Sequence, residues 1–243
     1  MEGSISILND MLESPSDASF GLAQLDLFLL DLLPDIEQYQ NNHTLSPQLE
    51  ELIKLQDSFG YNLTTRLVKL YNLELSIKDI ALLNGNLQVL LLLHPKSKTV
   101  FNCDRNMSGI LDVLNKYKGD KFVIISTITT LIHILLKDYN NYRSFERGFG
   151  CPLLIQHITL DTIDDITVDD APQSSSGSSH KANMLYSEEQ LLNFKIIEFL
   201  MLYMSEEIGN PDPYTVEMKT DLFRDELPEI DFLVQSLNEL NKL

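Results

Sequence analysis

Two stretches of this chain repeat one another at a distance of 44 residues. LLLLHPKSKTVFNCDRNMSGILDVL, beginning at Leu90, lies over ILLKDYNNYRSFERGFGCPLLIQHI, beginning at Ile134. Phe101 then falls on Phe145, Leu91 and Leu92 on Leu135 and Leu136, and Ile110 and Leu111 on Leu154 and Ile155; Leu114 falls on Ile158. Each copy reads as a long apolar helix, a polar break, a short helix carrying a Phe, a turn and a second apolar helix. The stretch around Phe59, Leu67 and Val68 repeats part of this loosely, and NFKIIEFLMLYMSEE with IDFLVQSL reads as a final copy. A period near 44 is that of armadillo and HEAT units, which cannot bury their apolar faces alone and stack to do so. The expected fold is all-α, an armadillo/HEAT-like helical-repeat solenoid; an irregular helical bundle is the competing reading.

The rest of the chain agrees with a helical class. Hydrophobic residues make up 44% of 243 positions while Gly (10) and Pro (9) are scarce, and leucine loses less freedom in a helix than most apolar residues. Leu22, Leu25, Leu29, Leu32 and Leu33 recur at helical spacing, with Pro34 expected to end the run. Ser46 reads as an N-cap with Pro47 at the first helical position and Leu49, Leu52, Ile53 and Leu55 as the buried stripe, followed by a joint near Gly60. IKDIALLNGNLQVLLLL is expected to stop at His94-Pro95. KFVIISTITTLIHILLKDY is rich in β-branched residues, yet its length and lack of alternation read as a buried helix. Ser187 is expected to cap a helix running through SEEQLLNFKIIEFLMLYMSEE, and a last helix follows in PEIDFLVQSLNELNKL. One domain spanning 1–243 is expected, interrupted at about 161–183 by an exposed acidic, Ser-rich loop.

The net charge of −18 argues against nucleic acid and against anionic membrane surfaces, since both are bound by Lys and Arg. The first residues have neither a basic start nor a long apolar core, so no secretory signal is expected. With two cysteines only, the expected compartment is a reducing one. Chemistry has little support. Six positions after Cys103 and Cys151, where a cysteine phosphatase holds its arginine, stand Gly109 and His157. A Cys/His hydrolase built on Cys151 with His157 or His133 is the weaker alternative to a buried structural thiol. The five histidines show no zinc spacing, and there is no phosphate-cradling glycine motif. No cofactor, metal or catalytic residue is expected. Lys96, Lys98, Arg105, Lys116, Lys118 and Lys121 form a local excess of positive charge, either a solvated helix face or a docking patch for an acidic partner.

LQDSFGYNLTTRL, LLLLHPKSKTVFNCDRNMSGILDVL, NNYRSFERGFG and FKIIEFLMLYMSEE occur in this order, at distances that resemble the fungal cell division control protein fourteen family of the septation initiation network. This is the non-phosphatase family of that name. The resemblance runs from about Phe20 to Glu207 and leaves the acidic segment Pro211–Asp231 weakly matched. It implies a non-catalytic partner and activator of a Ste20-like germinal-centre protein kinase, cytoplasmic and at the spindle pole body, acting in septum formation and cytokinesis. A general helical-repeat scaffold is the alternative. By analogy with solenoids, exposed positions on the helices around Leu67, Leu111 and Leu154 are the expected partner-binding residues: Arg66, Lys69, Asn115, Lys116, Lys118 and Gln156. Leucine-rich edges also allow a homo-oligomer. Phe145 is expected in the core, and Arg143 with Glu146 on a helix surface.

Overall fold

The computed structural model describes residues 1–159 and 187–240. Among them the chain forms α1 (Glu2–Glu13), α2 (Ala18–Asp31), α3 (Leu33–Asn42), α4 (Pro47–Gln56), α5 (Leu63–Leu70) and α6 (Ile77–Leu93), then a 3₁₀ helix η1 (Pro95–Asn102). There follow α7 (Asp104–Lys116), α8 (Lys121–Leu135), α9 (Tyr139–Arg147), α10 (Gly150–Ile155), α11 (Glu188–Tyr203), α12 (Val216–Asp221) and α13 (Ile230–Leu240). No strand occurs among the described residues. The acidic, Ser-rich stretch expected as a loop lies outside them.

Local chemistry sets the helix boundaries. Ser46 accepts a hydrogen bond from the Leu49 amide at 3.1 Å, with Pro47 in the first turn, where its missing N–H costs nothing. Ser187 and Gln190 form a reciprocal capping box on α11. The threonines that make α8 look strand-like are satisfied within the helix: Thr127 Oγ1 donates to the Val123 carbonyl and Thr130 Oγ1 to that of Ser126. Pro34 does not end the leucine run. The run stops at Asp31, and Leu33 and Pro34 open α3, which leaves Leu33 exposed. Ile53 and Leu55 are half-buried at the edge of the stripe that Leu49 and Leu52 anchor.

The helices pack in two rows. In one, α2 lies against α6, α6 against α8 and α8 against α11; in the other, α1 lies against α5, α5 against α7 and α7 against α9 and α10. Between the rows lies one continuous apolar cluster. Polar rungs cross from residues 75–102 to residues 117–144 at sequence separations of 42 or 43 residues. Asn84 donates to Thr127 Oγ1 (3.1 Å), Gln88 to Thr130 Oγ1 (2.9 Å), and Asn141 to the Lys98 carbonyl (3.0 Å). Ser144 donates to the Asn102 carbonyl (3.0 Å), and Tyr117 to that of Leu75 (2.6 Å). Buried polar groups left unpaired are costly, so these rungs hold the two stretches in register.

The 44-residue alignment also matches in burial except at its last pair, where Leu114 is buried and Ile158 half-buried. Phe101 and Phe145, Leu91 and Leu135, Ile110 and Leu154, Leu111 and Ile155 are all buried, and Leu92 and Leu136 are both exposed.

The acidic C-terminal segment is part of the structure. Phe223, Leu227 and Ile230 are buried, and its acids are gathered by Arg224, which pairs with Glu217 (2.7 Å), Asp221 and Asp231 (2.9 Å).

Candidate partner-binding surface

The six residues singled out from the sequence do not share one site. Asn115 and Lys118, at the C-terminal end of α7, and Gln156, after α10, come together in a surface depression of about 300 Å³ that Leu114, Leu153 and His157 complete. Burial and the Lys118 charge hold the His157 imidazole below its usual range, against a backbone hydrogen bond involving Leu114, so it is uncharged at neutral pH. Arg66 and Lys69 stand instead on α5 facing α1, where both meet Glu13, and the Arg66 guanidinium lies 5.9 Å from the Phe59 ring. Lys116 pairs with Glu74 at 2.5 Å.

The local excess of positive charge is largely consumed within the fold. Lys96 pairs with Asp57, Lys116 with Glu74 and Lys121 with Glu189, while buried Lys98 donates to the Leu136 carbonyl. Lys118 and Arg105 are exposed and form no ion pair among the described residues.

The nucleophile candidates sit in structural positions. Cys151 is buried, its Sγ 3.7 Å from the Tyr203 hydroxyl, and burial pushes its thiol well above the usual range. Cys103 is exposed at the start of α7. One thiol per native chain therefore reacts with an aromatic disulfide reagent, and the second only in denaturant. Two rapidly reacting thiols would place Cys151 at the surface.

Asp57, His94 and Ser97 form a string in which His94 Nε2 meets Asp57 at 3.1 Å and Nδ1 meets Ser97 Oγ at 2.8 Å. Asn62 donates to the same Ser97 oxygen at 2.9 Å and to the Gln56 carbonyl at 2.6 Å. Ser97 is buried and its hydroxyl is bonded on both sides. The string pins η1 to the joint between α4 and α5.

Arg143 and Glu146 are not a surface pair. Glu146 is buried in the side chain, and Arg143 bridges it at 2.7 Å to Glu207, 64 residues away, at 2.5 Å. The Arg143 guanidinium also stacks 3.3 Å from the Tyr214 ring centroid.

Sequence reasoning missed one surface feature. The helices of the first row are apolar on nearly every side, a composition expected of helices buried all round. Yet each keeps an outward side. On α8 and its C-cap that side carries exposed Phe122 and Leu136, with half-buried Ile125, Thr129 and Ile132 between them, and Phe122 is 66% exposed. On α6 it carries half-buried Leu82, Gly85 and Val89 and exposed Leu92, and on α2 exposed Leu27 and Leu30. Met201 continues the face on α11. These positions recur every three or four residues, the spacing of one helix face.

What these features define is an all-helical protein that leaves apolar side chains exposed along its first row of helices. The family model described as "Cell division control protein 14, SIN component" matches residues 31–215, and the chain belongs to that family. This is the component of the septation initiation network, not the phosphatase that shares its name. No curated protein and no solved structure matches the chain.

Proposed function

We propose that this chain is a non-catalytic adaptor that binds and activates a germinal-centre protein kinase of the Ste20-like type, at the spindle pole body, in the network that triggers septum formation. The two rows of helices are then the ladders of an armadillo-like stack, a reading supported by the polar rungs 42 and 43 residues apart and by similar burial at most positions shifted by 44. The observation that carries the function is the outward apolar face of α6, α8 and α11. A kinase domain seated there would cover side chains that the monomer leaves in water. The depression around Lys118 and Gln156 lies on the other row and has the polar character of an interface rim, where charge sets approach more than affinity.

The experiment is a binding titration between the purified chain and a purified germinal-centre kinase domain. The triple variant Phe122→Asp, Leu136→Asp, Met201→Asp is expected to weaken binding at least 100-fold with an unchanged helical circular dichroism spectrum. Lys116→Glu with Lys118→Glu is expected to slow association a few-fold and to steepen less with salt. Full affinity in the triple variant would remove the face from the proposal.

A further inference from the structure

The first Lys or Arg in this chain is Lys54. Every charged side chain before it is acidic: Glu2, Asp10, Glu13, Asp17, Asp26, Asp31, Asp35, Glu37, Glu50 and Glu51. Of these, Glu13, Glu50 and Glu51 have ion-pair partners in the fold. Asp26, Asp31, Asp35 and Glu37 have none among the described residues. Four like charges thus gather on the end of α2 and on α3 with nothing to compensate them.

An apolar groove of about 520 Å³ opens at the same place, between α3, α4 and the C-terminal end of α6. Its walls are Leu33, Ile36 and Tyr39 on one side and Ile53, Val89 and Leu92 on the other. Leu33, Tyr39 and Leu92 are exposed. α3 itself has no buried residue, so the helix that forms one wall gains little from its own packing. On α3, Asp35 and Glu37 stand about 100° to either side of Ile36, given 3.6 residues per turn. The apolar wall is therefore flanked by carboxylates on both edges.

We propose that this groove receives an amphipathic basic helix of a partner protein, with large apolar side chains seated between α3 and α6 and Lys or Arg residues meeting Asp31, Asp35 and Glu37. The charge pattern selects this occupant. A second copy of this chain would bring the same acidic rim against its own and be repelled. An acidic segment is excluded on the same ground. Apolar anchors at helical spacing in a groove, with complementary charge at the rim, form a recurrent mode of peptide recognition. The inference rests on reading the chain as a partner-binding protein, but it uses a different surface from the kinase-binding face, apart from the Val89–Leu92 edge that both share.

The chain contains no tryptophan, which makes a clean probe available. A designed 18-residue Leu/Lys amphipathic helix with one Trp on its apolar face is titrated into the full chain while indole emission is followed. The expected result is saturable binding with a blue-shift, as the indole leaves water, and an affinity that falls with salt. Leu33→Asp is expected to weaken binding at least ten-fold and to abolish the blue-shift, while Asp35→Lys with Glu37→Lys weakens it several-fold. A scrambled peptide of equal charge is expected to bind without the shift. No shift with the parent chain, or an equal shift in Leu33→Asp, overturns the groove. A concentration-dependent dimer on gel filtration that Leu33→Asp abolishes also overturns it, in favour of a second copy. Peptide binding without kinase binding supports the groove and sinks only the kinase reading. Kinase binding without the shift does the reverse.

Discussion

Phe145→Ala lowers the stability of this protein by about 3–5 kcal/mol, the range for emptying a buried aromatic site. Phe145 is fully buried, on α9, with ring centroids 5.3 Å from Phe199 and 6.0 Å from Tyr203 on α11. Beneath it the chain turns through Gly150, where any Cβ would overlap the Phe145 ring. The ring therefore joins three elements, and the backbone has been cleared to receive it. Equilibrium denaturation followed by circular dichroism measures the loss. The arrangement also fixes a coupling. Gly150→Ala is destabilising in the parent chain, because side chain and backbone collide, and becomes close to neutral in the Phe145→Ala background, where the space is free. Additive effects, or a small loss for Phe145→Ala alone, would show that the ring does not fill the space between α9 and α11.

That Phe145 belongs to the core was legible in the sequence, because Phe101 stands 44 residues earlier in a matching apolar pattern. The long helices were equally legible, with Ser46, Ser187 and the break at His94-Pro95 marking their ends. α1 and α12 were not. α1 buries only Ile5, Leu8, Asn9 and Leu12, and α12 is six residues long, so neither offers a long periodic signal. The outward apolar side chains of the first row escaped the sequence reading for a different reason. Polar, exposed positions on α5, α7 and α10 were easy to find, whereas an outward face on α8 was not. FVIISTITTLIHILL is apolar on every side, and periodicity within such a helix does not say which side its neighbours leave open. Only the packing of α6 and α11 against it singles out Phe122, Thr129 and Leu136. Arg143 and Glu146 failed in the same way. Spacing of three along a helix reads as a surface ion pair, and the residue that buries the pair, Glu207, is 64 positions away.

Lys219→Met costs about 3–5 kcal/mol, the penalty for removing one partner of a buried ion pair and stranding the other. Lys219 and Glu207 each keep only 1% of their side-chain surface exposed and lie 3.2 Å apart. Lys219 Nζ also donates to the carbonyls of Tyr203 and Ser205, both at 2.8 Å. Glu207 receives Arg143 at 2.5 Å, Asn210 at 2.5 Å and the Tyr214 amide at 3.3 Å. The cluster therefore ties the chain that follows α11 back onto α9, and its two acids, Glu146 and Glu207, balance Arg143 and Lys219. Burial alone would raise the Glu207 carboxyl, but Arg143, Asn210 and Lys219 outweigh it and leave the group below the usual carboxylate range. A folded-state pKa held below the unfolded one stabilises the protein at all pH values above the unfolded pKa, and that contribution disappears as pH falls through the folded value. Urea unfolding of the parent between pH 7 and pH 3 is thus expected to show a loss of stability below about pH 4.3, the ordinary glutamate range. Glu207→Gln removes this part of the pH dependence, and at pH 7 it is destabilising because Lys219 and Arg143 lose their counter-charge. The double variant Glu207→Gln, Lys219→Met loses less than the two single losses added together, since each single change already breaks the same pair and strands its other member. If Lys219→Met unfolds at the parent's urea midpoint, the pair lies in water and the segment after α11 is held by Phe223 and Leu227 alone.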